Sequence, residues 1–110
     1  MECVRSAHES PRADGVVFMF PGGGSQHTNM ARAVRQRWPA FCRELEACAA
    51  RFRAHLDFDI LDSIYPDDDR TSDDHTLTRP LVALPALFAI EYAVARLWMA
   101  WGVRPVAVIG

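Results

Sequence analysis

The stretch VVFMFPGGGSQ, residues 16–26, decides the fold of this 110-residue chain. It opens with five consecutive apolar residues and stops at a proline and three glycines, which is typical of a buried strand that ends in a tight loop. A second apolar run at residues 106–109 predicts another strand. Because segments of helical spacing separate the two runs, the sequence predicts an α/β fold in which parallel strands are joined by helical crossovers.

Helical patterns begin directly after the glycines. Met30, Val34 and Trp38 recur every four residues and so mark one face of a helix. Thr28 or Asn29 is expected to cap the start of that helix, because short polar side chains accept hydrogen bonds from its first N–H groups.

Three further helices are predicted along the rest of the chain. One begins at Pro39, since proline is favoured at the first helical position. Its apolar face has members four, three and four residues apart: Phe41, Leu45, Cys48 and Phe52. A short helix is expected over residues 59–65 with Asp59 as its cap. The strongest pattern covers residues 85–101, is apolar on nearly all sides, and is ended by Gly102.

Two polar segments lie outside these elements. Residues 1–15 are interpreted as a leader or inter-domain linker, and residues 16–110 as the folded portion. Residues 66–75 contain five aspartates and predict a solvated loop. This segment lacks the glycine turn and closing glutamate of a calcium-binding loop.

The composition argues against several classes of function. The net charge is -2 and the pI is near 6.0, whereas proteins that bind nucleic acids usually carry a basic excess. All 12 basic residues are arginine, which excludes mechanisms built on lysine. Cys3, Cys42 and Cys48 form an odd set without a CxxC pair, so neither a disulfide framework nor a metal site is expected. Cys42 and Cys48 fall in a helical pattern and are expected to be buried free thiols.

The sequence predicts a cytoplasmic protein that does not contact a membrane. Residues 1–15 lack the apolar core of a signal peptide. The most apolar long stretch, residues 81–101, is interrupted by Glu91 and Arg96, which makes it a poor membrane span.

The glycine loop is the candidate site. Gly22, Gly23 and Gly24 allow backbone N–H groups to approach a ligand, and with a helix just beyond, the loop suits an anion or a developing oxyanion. A flexible strand-to-helix turn is equally compatible with three glycines. No lysine completes a Walker A loop, and His27 stands where a dinucleotide fingerprint has its third glycine.

The remaining polar candidates have no partners at useful spacing. His8, His27, His55 and His75 are scattered, without a carboxylate or cysteine at triad or metal-ligand spacing, so surface or packing roles are favoured. Ser25 is interpreted as a loop hydrogen-bonding residue rather than a nucleophile.

Three blocks of the sequence resemble the acyltransferase domains of modular polyketide synthases and the malonyl-CoA:acyl carrier protein transacylases of fatty-acid synthesis. The first block, residues 17–26, resembles the family's opening motif. The second comprises PALFAIEYA at residues 85–93 and LWMAWGVRP at residues 97–105. The third, Val108-Ile109-Gly110, resembles the strand that leads into the family's Gly-His-Ser-x-Gly nucleophile elbow. The resemblance implies the N-terminal part of an α/β-hydrolase-like acyltransferase core, incomplete within these residues.

This resemblance also implies a two-step reaction. In the family, a serine on the elbow is activated by a histidine and attacks the thioester of malonyl-CoA or a related acyl-CoA. The acyl group then moves from that serine to the phosphopantetheine thiol of an acyl carrier protein, which is the usual logic of an activated nucleophile. Two backbone N–H groups hold the oxyanion, one from the glycine loop and one from the residue after the serine.

The resemblance implies that the backbone N–H of Gly23 is one of the two oxyanion donors. Gly23 stands at a position where the family usually has glutamine. The supporting loop residues are Pro21, Gly22, Gly24, Ser25 and Gln26. Gly110 matches the first glycine of the elbow, so the serine is expected two residues further on, followed by the histidine and the arginine that pairs with the malonyl carboxylate. The catalytic residues proper are therefore not expected among residues 1–110.

Several expectations follow for the 110 residues alone. They are expected to be inactive, and poorly soluble because the apolar helix and both strands lack packing partners. The implied partners are acyl-CoA, an acyl carrier protein and other polyketide synthase domains, with no bound cofactor. One alternative is a non-catalytic remnant or interaction module that binds a carrier protein or another component of a synthase. A phosphate-binding loop protein is a further alternative.

Overall fold

The computed structural model describes residues 15–66 and 75–110, and its elements follow the predicted order. They are β1 (Val16–Met19), α1 (Arg32–Arg37), α2 (Pro39–Arg53), α3 (Ile60–Ile64), α4 (His75–Thr78), α5 (Pro80–Ala100) and β2 (Pro105–Ile109). The leader interpretation of residues 1–14 and the aspartate-rich loop prediction at residues 67–74 lie outside the described residues.

The two strands pair in parallel, as predicted. Phe18 is opposite Val108, and Met19 is opposite Ile109. One residue beyond the end of β1, the N–H of Phe20 donates to the carbonyl of Ile109 over 2.8 Å. Since a parallel pair needs a crossover between its strands, the helices between them make this an incomplete α/β fold of the predicted class.

The prediction that both strands are buried is wrong for the described residues. Val106, Val108 and Met19 are 71%, 63% and 61% exposed. Strands that are apolar on both faces suit a sheet with helices on both sides. The described helices supply at most one such layer, and they pack chiefly on one another.

The core lies between α2 and α5, with α3 and α4 packed against α5. Pro39 occupies the first position of α2, as predicted. On the predicted face, Phe41 and Leu45 are fully buried, Cys48 is buried, and Phe52 packs partly buried against the same cluster. The spacing of four, three and four residues therefore identifies the face that forms the core.

Helix α5 begins five residues earlier than predicted, at Pro80, so that Pro85 lies inside it. Proline inside a helix cannot donate to the carbonyl four residues back. The earlier start allows Val82 and Ala83 to reach the core, where both are buried, and this burial offsets the lost hydrogen bond.

The C-terminal end of α5 forms at Gly102, as predicted. Gly102 has a φ of 94°, in the left-handed region that favours glycine. The N–H of Gly102 donates to the carbonyl of Met99, and the N–H of Val103 donates to the carbonyl of Trp98. These two bonds form a Schellman motif, which satisfies the last carbonyls of the helix and turns the chain towards β2.

The two predicted helix caps have opposite outcomes. The Asp59 carboxylate accepts from the N–H of Leu61 over 2.9 Å and caps α3, as predicted. The prediction of Thr28 or Asn29 as the cap of α1 is wrong, because the helix starts at Arg32, behind Ala31, without a side-chain cap hydrogen bond. Asn29 instead has a φ of 63° and donates its N–H to the carbonyl of Ile64, which ties this turn to α3.

By length and composition, α5 is the one helix among the described residues that could cross a membrane. In this structure it serves as the central core helix, and much of its length is buried against the other helices. A long apolar core helix passes the same test as a membrane span, so the feature is weak evidence for a membrane.

Candidate active site

The glycine loop and Gly110 lie side by side at the carboxyl ends of the two strands. A Cβ placed on Gly110 would come within 3.2 Å of the Cβ of Phe20, the residue that leads into the loop. Ligands of parallel α/β sheets bind at this end of the strands. The structure therefore brings together the two parts of the sequence that are expected to form the site.

The three glycines of the loop differ in their conformational demands. All three are exposed. Gly24 has a φ of 109°, a conformation that residues with a side chain rarely adopt. Gly22 and Gly23 have no such φ, and a Cβ on either would meet no atom of the described residues within 4 Å. The geometry therefore requires glycine at residue 24 and leaves room for a side chain at Gly23, where the family usually has glutamine.

Gln26 fixes the loop to the helical part of the molecule. Its Oε1 accepts from the N–H of Gly24 over 2.8 Å, and its Nε2 donates to the carbonyl of Leu77 in α4 over 3.1 Å. The sequence places Gln26 in the supporting loop but does not reveal this connection. The signal it offers is a long amide side chain two residues after a glycine run, since an amide has both a donor and an acceptor.

Ser25 and His27 lie exposed on the same loop and form no catalytic pair with each other. The Nδ1 atom of His27 is 3.4 Å from the backbone carbonyl oxygen of Ser25, not from its hydroxyl. The carbonyl of His27 accepts from the N–H of Met30, which begins the turn towards α1. Across residues 15–66 and 75–110, no group of three or more His, Cys, Asp or Glu side chains could hold a metal ion.

A cavity of about 590 Å³ lies between β1, the glycine loop and α5. Its wall is mainly apolar, with Phe18, Leu87 and Val94 among the lining residues, and Ser25 and His27 reach it from the loop. Such a cavity beside the carboxyl end of a strand matches the usual location of small-molecule sites in α/β proteins.

Glu91 is the acidic residue in the wall of this cavity. Its Oε2 atom is enclosed and has no hydrogen-bond partner among the described residues, and burial raises the pKa of its carboxyl. In the sequence, Glu91 serves only as an argument against a membrane span. The signal that could have identified it is a single acidic residue in the middle of an otherwise apolar stretch.

Both cysteines of the described residues are free thiols, as predicted, and neither belongs to the loop. The predicted burial is confirmed for Cys48 and is wrong for Cys42, which is only half-buried. Cys42 donates from Sγ to the carbonyl of Arg35 over 2.8 Å. Cys48 is buried in the core, and burial raises the pKa of its thiol, which disfavours the reactive thiolate. Cys3 lies outside the described residues.

The comparison with known families identifies the class of protein. The acyl transferase domain family matches residues 17–110, which is nearly the whole chain, and the chain belongs to this family. The match includes the glycine loop, α5 and β2, the three blocks on which the resemblance rests.

Polyketide synthases are among the relatives. The chain is 40% identical over 104 residues to a component of the phenolphthiocerol/phthiocerol polyketide synthase of Mycobacterium tuberculosis, covering 94% of this chain and 7% of that protein. It is 39% identical over 95 residues to the polyketide synthase GfsB of Streptomyces halstedii, covering 86% of this chain and 2% of that protein. The 110 residues thus span a small part of these relatives.

A solved structure has the same fold. The acyl transferase domain of ZmaA superposes with a TM-score of 0.81 at 33% sequence identity, over 87% of this chain and 22% of that chain. This agreement supports the strand pairing and helix order described above. The role of Gly23 as an oxyanion donor is not tested by it and stays a prediction.

Proposed function

We propose that these residues form the N-terminal part of an acyltransferase domain of a polyketide synthase. The domain would move a malonyl or related acyl group from acyl-CoA to the phosphopantetheine thiol of an acyl carrier protein. The observation that carries the proposal is the position of the glycine loop beside Gly110, at one edge of a parallel strand pair, in a chain of the acyl transferase family.

In this proposal the loop supplies electrostatic stabilisation. As a thioester carbonyl is attacked, its oxygen gains negative charge, and an N–H group already held in place stabilises that charge without reorganising. Gly23 is exposed at the centre of the loop, Gly24 holds the turn, and Gln26 anchors it to α4. A backbone donor explains why glycine at residue 23 is compatible with the reaction.

The nucleophile would come from the polypeptide that follows Gly110. A serine hydroxyl attacks the thioester carbonyl, its proton passes to a histidine base, and the CoA thiol leaves with a proton. The thiol of the carrier protein then attacks the resulting ester, and the serine is regenerated. Residues 1–110 would contribute the loop, the strands beneath it and the helical core, but no nucleophile.

The partners in this proposal are acyl-CoA, an acyl carrier protein and the neighbouring domains of a synthase. No cofactor bound to this polypeptide is proposed, since acyl-CoA is a substrate and the phosphopantetheine belongs to the carrier protein. The cytoplasm is the proposed location, since the acyl-CoA substrate is available there.

The proposal is tested with the full-length polypeptide that carries these residues. Incubation with radiolabelled malonyl-CoA should give a protein-bound ester, and the label should move to a carrier protein when one is added. Gly23→Pro removes the N–H donor and should lower the acylation rate by about 10²–10³-fold. Gly23→Ala keeps the N–H and is the matched control.

Two results would contradict the proposal. One is a wild-type polypeptide that takes up no label from any of malonyl-, methylmalonyl- or acetyl-CoA. The other is equal acylation rates for Gly23→Pro and Gly23→Ala, which would leave the loop without its proposed part in the reaction. If a polypeptide that takes up no label still binds a carrier protein, the interaction-module hypothesis is favoured instead.

A further inference from the structure

Glu91 differs from the other polar side chains of the described residues because one of its carboxyl oxygens is enclosed and has no hydrogen-bond partner. It lies in the middle of α5 between Ile90 and Tyr92, and it is the only charged residue of this helix before Arg96. Within residues 15–66 and 75–110, its Oε2 is the only buried side-chain nitrogen or oxygen that lacks a hydrogen-bond partner.

A buried carboxyl oxygen without a partner is costly, because it gives up hydrogen bonds to water and gains none in return. Burial raises the pKa of Glu91, which is the expected response of a carboxyl held among apolar side chains. Native structures contain few such atoms, and each one calls for an explanation, of which an absent partner is one.

The described residues near Glu91 do not provide that partner. Ser25 and His27 share its cavity, yet both are exposed on the loop, and the Nδ1 atom of His27 contacts the carbonyl of Ser25. The other lining residues that face the cavity from β1 and α5 are mainly apolar, such as Phe18 and Val94. Among the described residues, no donor therefore reaches the Oε2 atom of Glu91.

The strand register indicates where such a donor enters. Phe20 lines the cavity with Glu91, and the same Phe20 donates its N–H to Ile109 and lies beside Gly110. A chain that leaves β2 at Gly110 therefore emerges next to the cavity wall, at the edge where the glycine loop lies. Under the proposed function, this is where the nucleophile-bearing turn is formed.

We propose that Glu91 is a positioning residue whose carboxyl hydrogen-bonds an N–H or O–H group of the turn that directly follows Gly110. This inference rests on the proposed function. The bond would hold that turn against the glycine loop, and so fix the distance between the nucleophile and the N–H donor of Gly23. Small displacements of reacting groups cost large factors in rate, which gives such a bond a measurable effect.

The test uses the full-length polypeptide, with Glu91→Leu, Glu91→Gln and wild type compared in a single-turnover acylation with labelled malonyl-CoA. Glu91→Leu removes the hydrogen bond at similar volume, and its acylation rate should fall at least about tenfold. Glu91→Gln keeps both a donor and an acceptor and should stay within about threefold of wild type. Glu46→Leu, at an exposed glutamate of α2, is the matched control and should leave the rate unchanged.

Two further readouts separate positioning from a merely structural role. The amplitude of the acylation burst counts the folded, competent molecules, whereas its rate constant reports the geometry within them. Loss of a positioning bond should lower the rate constant and leave KM for acyl-CoA unchanged, since Glu91 is not expected to touch the substrate. A reduced amplitude with a normal rate constant would overturn the inference.

An experimental structure of the full-length wild-type protein decides the matter even if Glu91→Leu fails to fold. A donor from the turn after Gly110 within about 3.2 Å of a Glu91 carboxyl oxygen supports the inference. A partner from any other segment, or a water molecule alone, overturns it. Failure of the proposed function is recognised separately, because wild type would then take up no acyl group at all.

Discussion

Gln26 and Leu77 are joined by a hydrogen bond of 3.1 Å between the side-chain Nε2 and the backbone carbonyl, although 51 positions separate them in the sequence. The same glutamine accepts from the N–H of Gly24. One side chain thus connects the glycine loop, at the carboxyl end of β1, to α4 and through it to the helical core.

Gln26→Ala should loosen this connection. Loss of two partly exposed hydrogen bonds is expected to lower the free energy of unfolding of the full-length protein by about 1–2 kcal/mol. The acylation rate should also fall, by about tenfold, because the loop that carries Gly23 loses its anchor. Chemical denaturation and single-turnover acylation measure the two effects.

Gln36→Ala is the matched control for Gln26→Ala. Gln36 is exposed on α1, away from the loop, and its replacement should change neither quantity. A Gln26→Ala protein that acylates at the wild-type rate would show that the loop holds its shape without the anchor.

Gly24→Ala should be destabilising, whereas Gly23→Ala should not. The φ of 109° at Gly24 lies where a Cβ is strained, and forcing a side chain into such a region costs about 1–3 kcal/mol. Gly23 has no positive φ and open space around its Cα. Denaturation curves of the two variants make the comparison, and equal stability would contradict the loop conformation described here.

Tyr65→Phe should change how stability depends on pH. Burial raises the pKa of the Tyr65 phenol to about 12 from its ordinary value of 10.0, against the opposing effect of Arg35, whose guanidinium lies 4.4 Å from the ring centroid. Because the folded-state pKa is the higher one, the stabilisation is fully present below pH 10 and is lost as the pH rises towards 12. Tyr65→Phe should lack this part of the decline.

At pH 7 the same variant should be less stable by about 1 kcal/mol, since the Tyr65 hydroxyl donates to the carbonyl of Met30 over 2.7 Å. The free energy of unfolding, measured from neutral pH to about pH 12 for wild type and variant, gives both effects. Tyr92→Phe alters an exposed tyrosine of α5 and serves as the comparison. Parallel pH curves for wild type and Tyr65→Phe would contradict the assignment.

Asp59→Ala should remove the cap of α3 and lower the free energy of unfolding by about 1 kcal/mol. Asp57→Ala, two residues earlier, changes an exposed aspartate outside the helix and should have little effect. Thermal or chemical denaturation distinguishes them. If the two substitutions have equal effects, the Asp59 carboxylate does not act through the N–H of Leu61.

The 110 residues expressed alone should self-associate. Val106 and Val108 lie on the same face of β2, and both are largely exposed. Met19 on β1 is also largely exposed. Exposed sheet edges with apolar side chains are sites of aggregation. Sedimentation of this piece should show oligomers, and Val106→Ser with Val108→Ser should shift the distribution towards monomer. A monomeric species with cooperative unfolding would contradict the expectation.

Local sequence signals predict much of this fold, and they fail where distant contacts decide. Pro39, Asp59 and Gly102 each act through neighbours within a few positions, and each has its predicted role. The local pattern around Asn29 allows a cap, but its N–H bonds to Ile64, far along the chain. The pattern at Pro85 predicts a helix start, which burial of the preceding turn overrides.

The candidate site shows the same division. Three consecutive glycines after a strand locate the loop. The hydrogen bond from Gln26 to Leu77 depends on how α4 packs, so it cannot be predicted from the residues that neighbour Gln26 in the sequence. Likewise, the isolation of Glu91 is visible only when the cavity around it is known. The sequence locates the loop, and the structure adds the residues that hold it.

The parallel pairing of β1 with β2 has a consequence for synthesis in the cell. Met19 finds its partner only when Ile109 has been made, about 90 residues later, which at typical translation speeds takes about 4–18 s. During that interval the helices between them can already pack on one another, while β1 has not yet met its partner β2. β1 is thus among the last of the described elements to become ordered, and nascent chains are expected to need chaperone protection at residues 16–20.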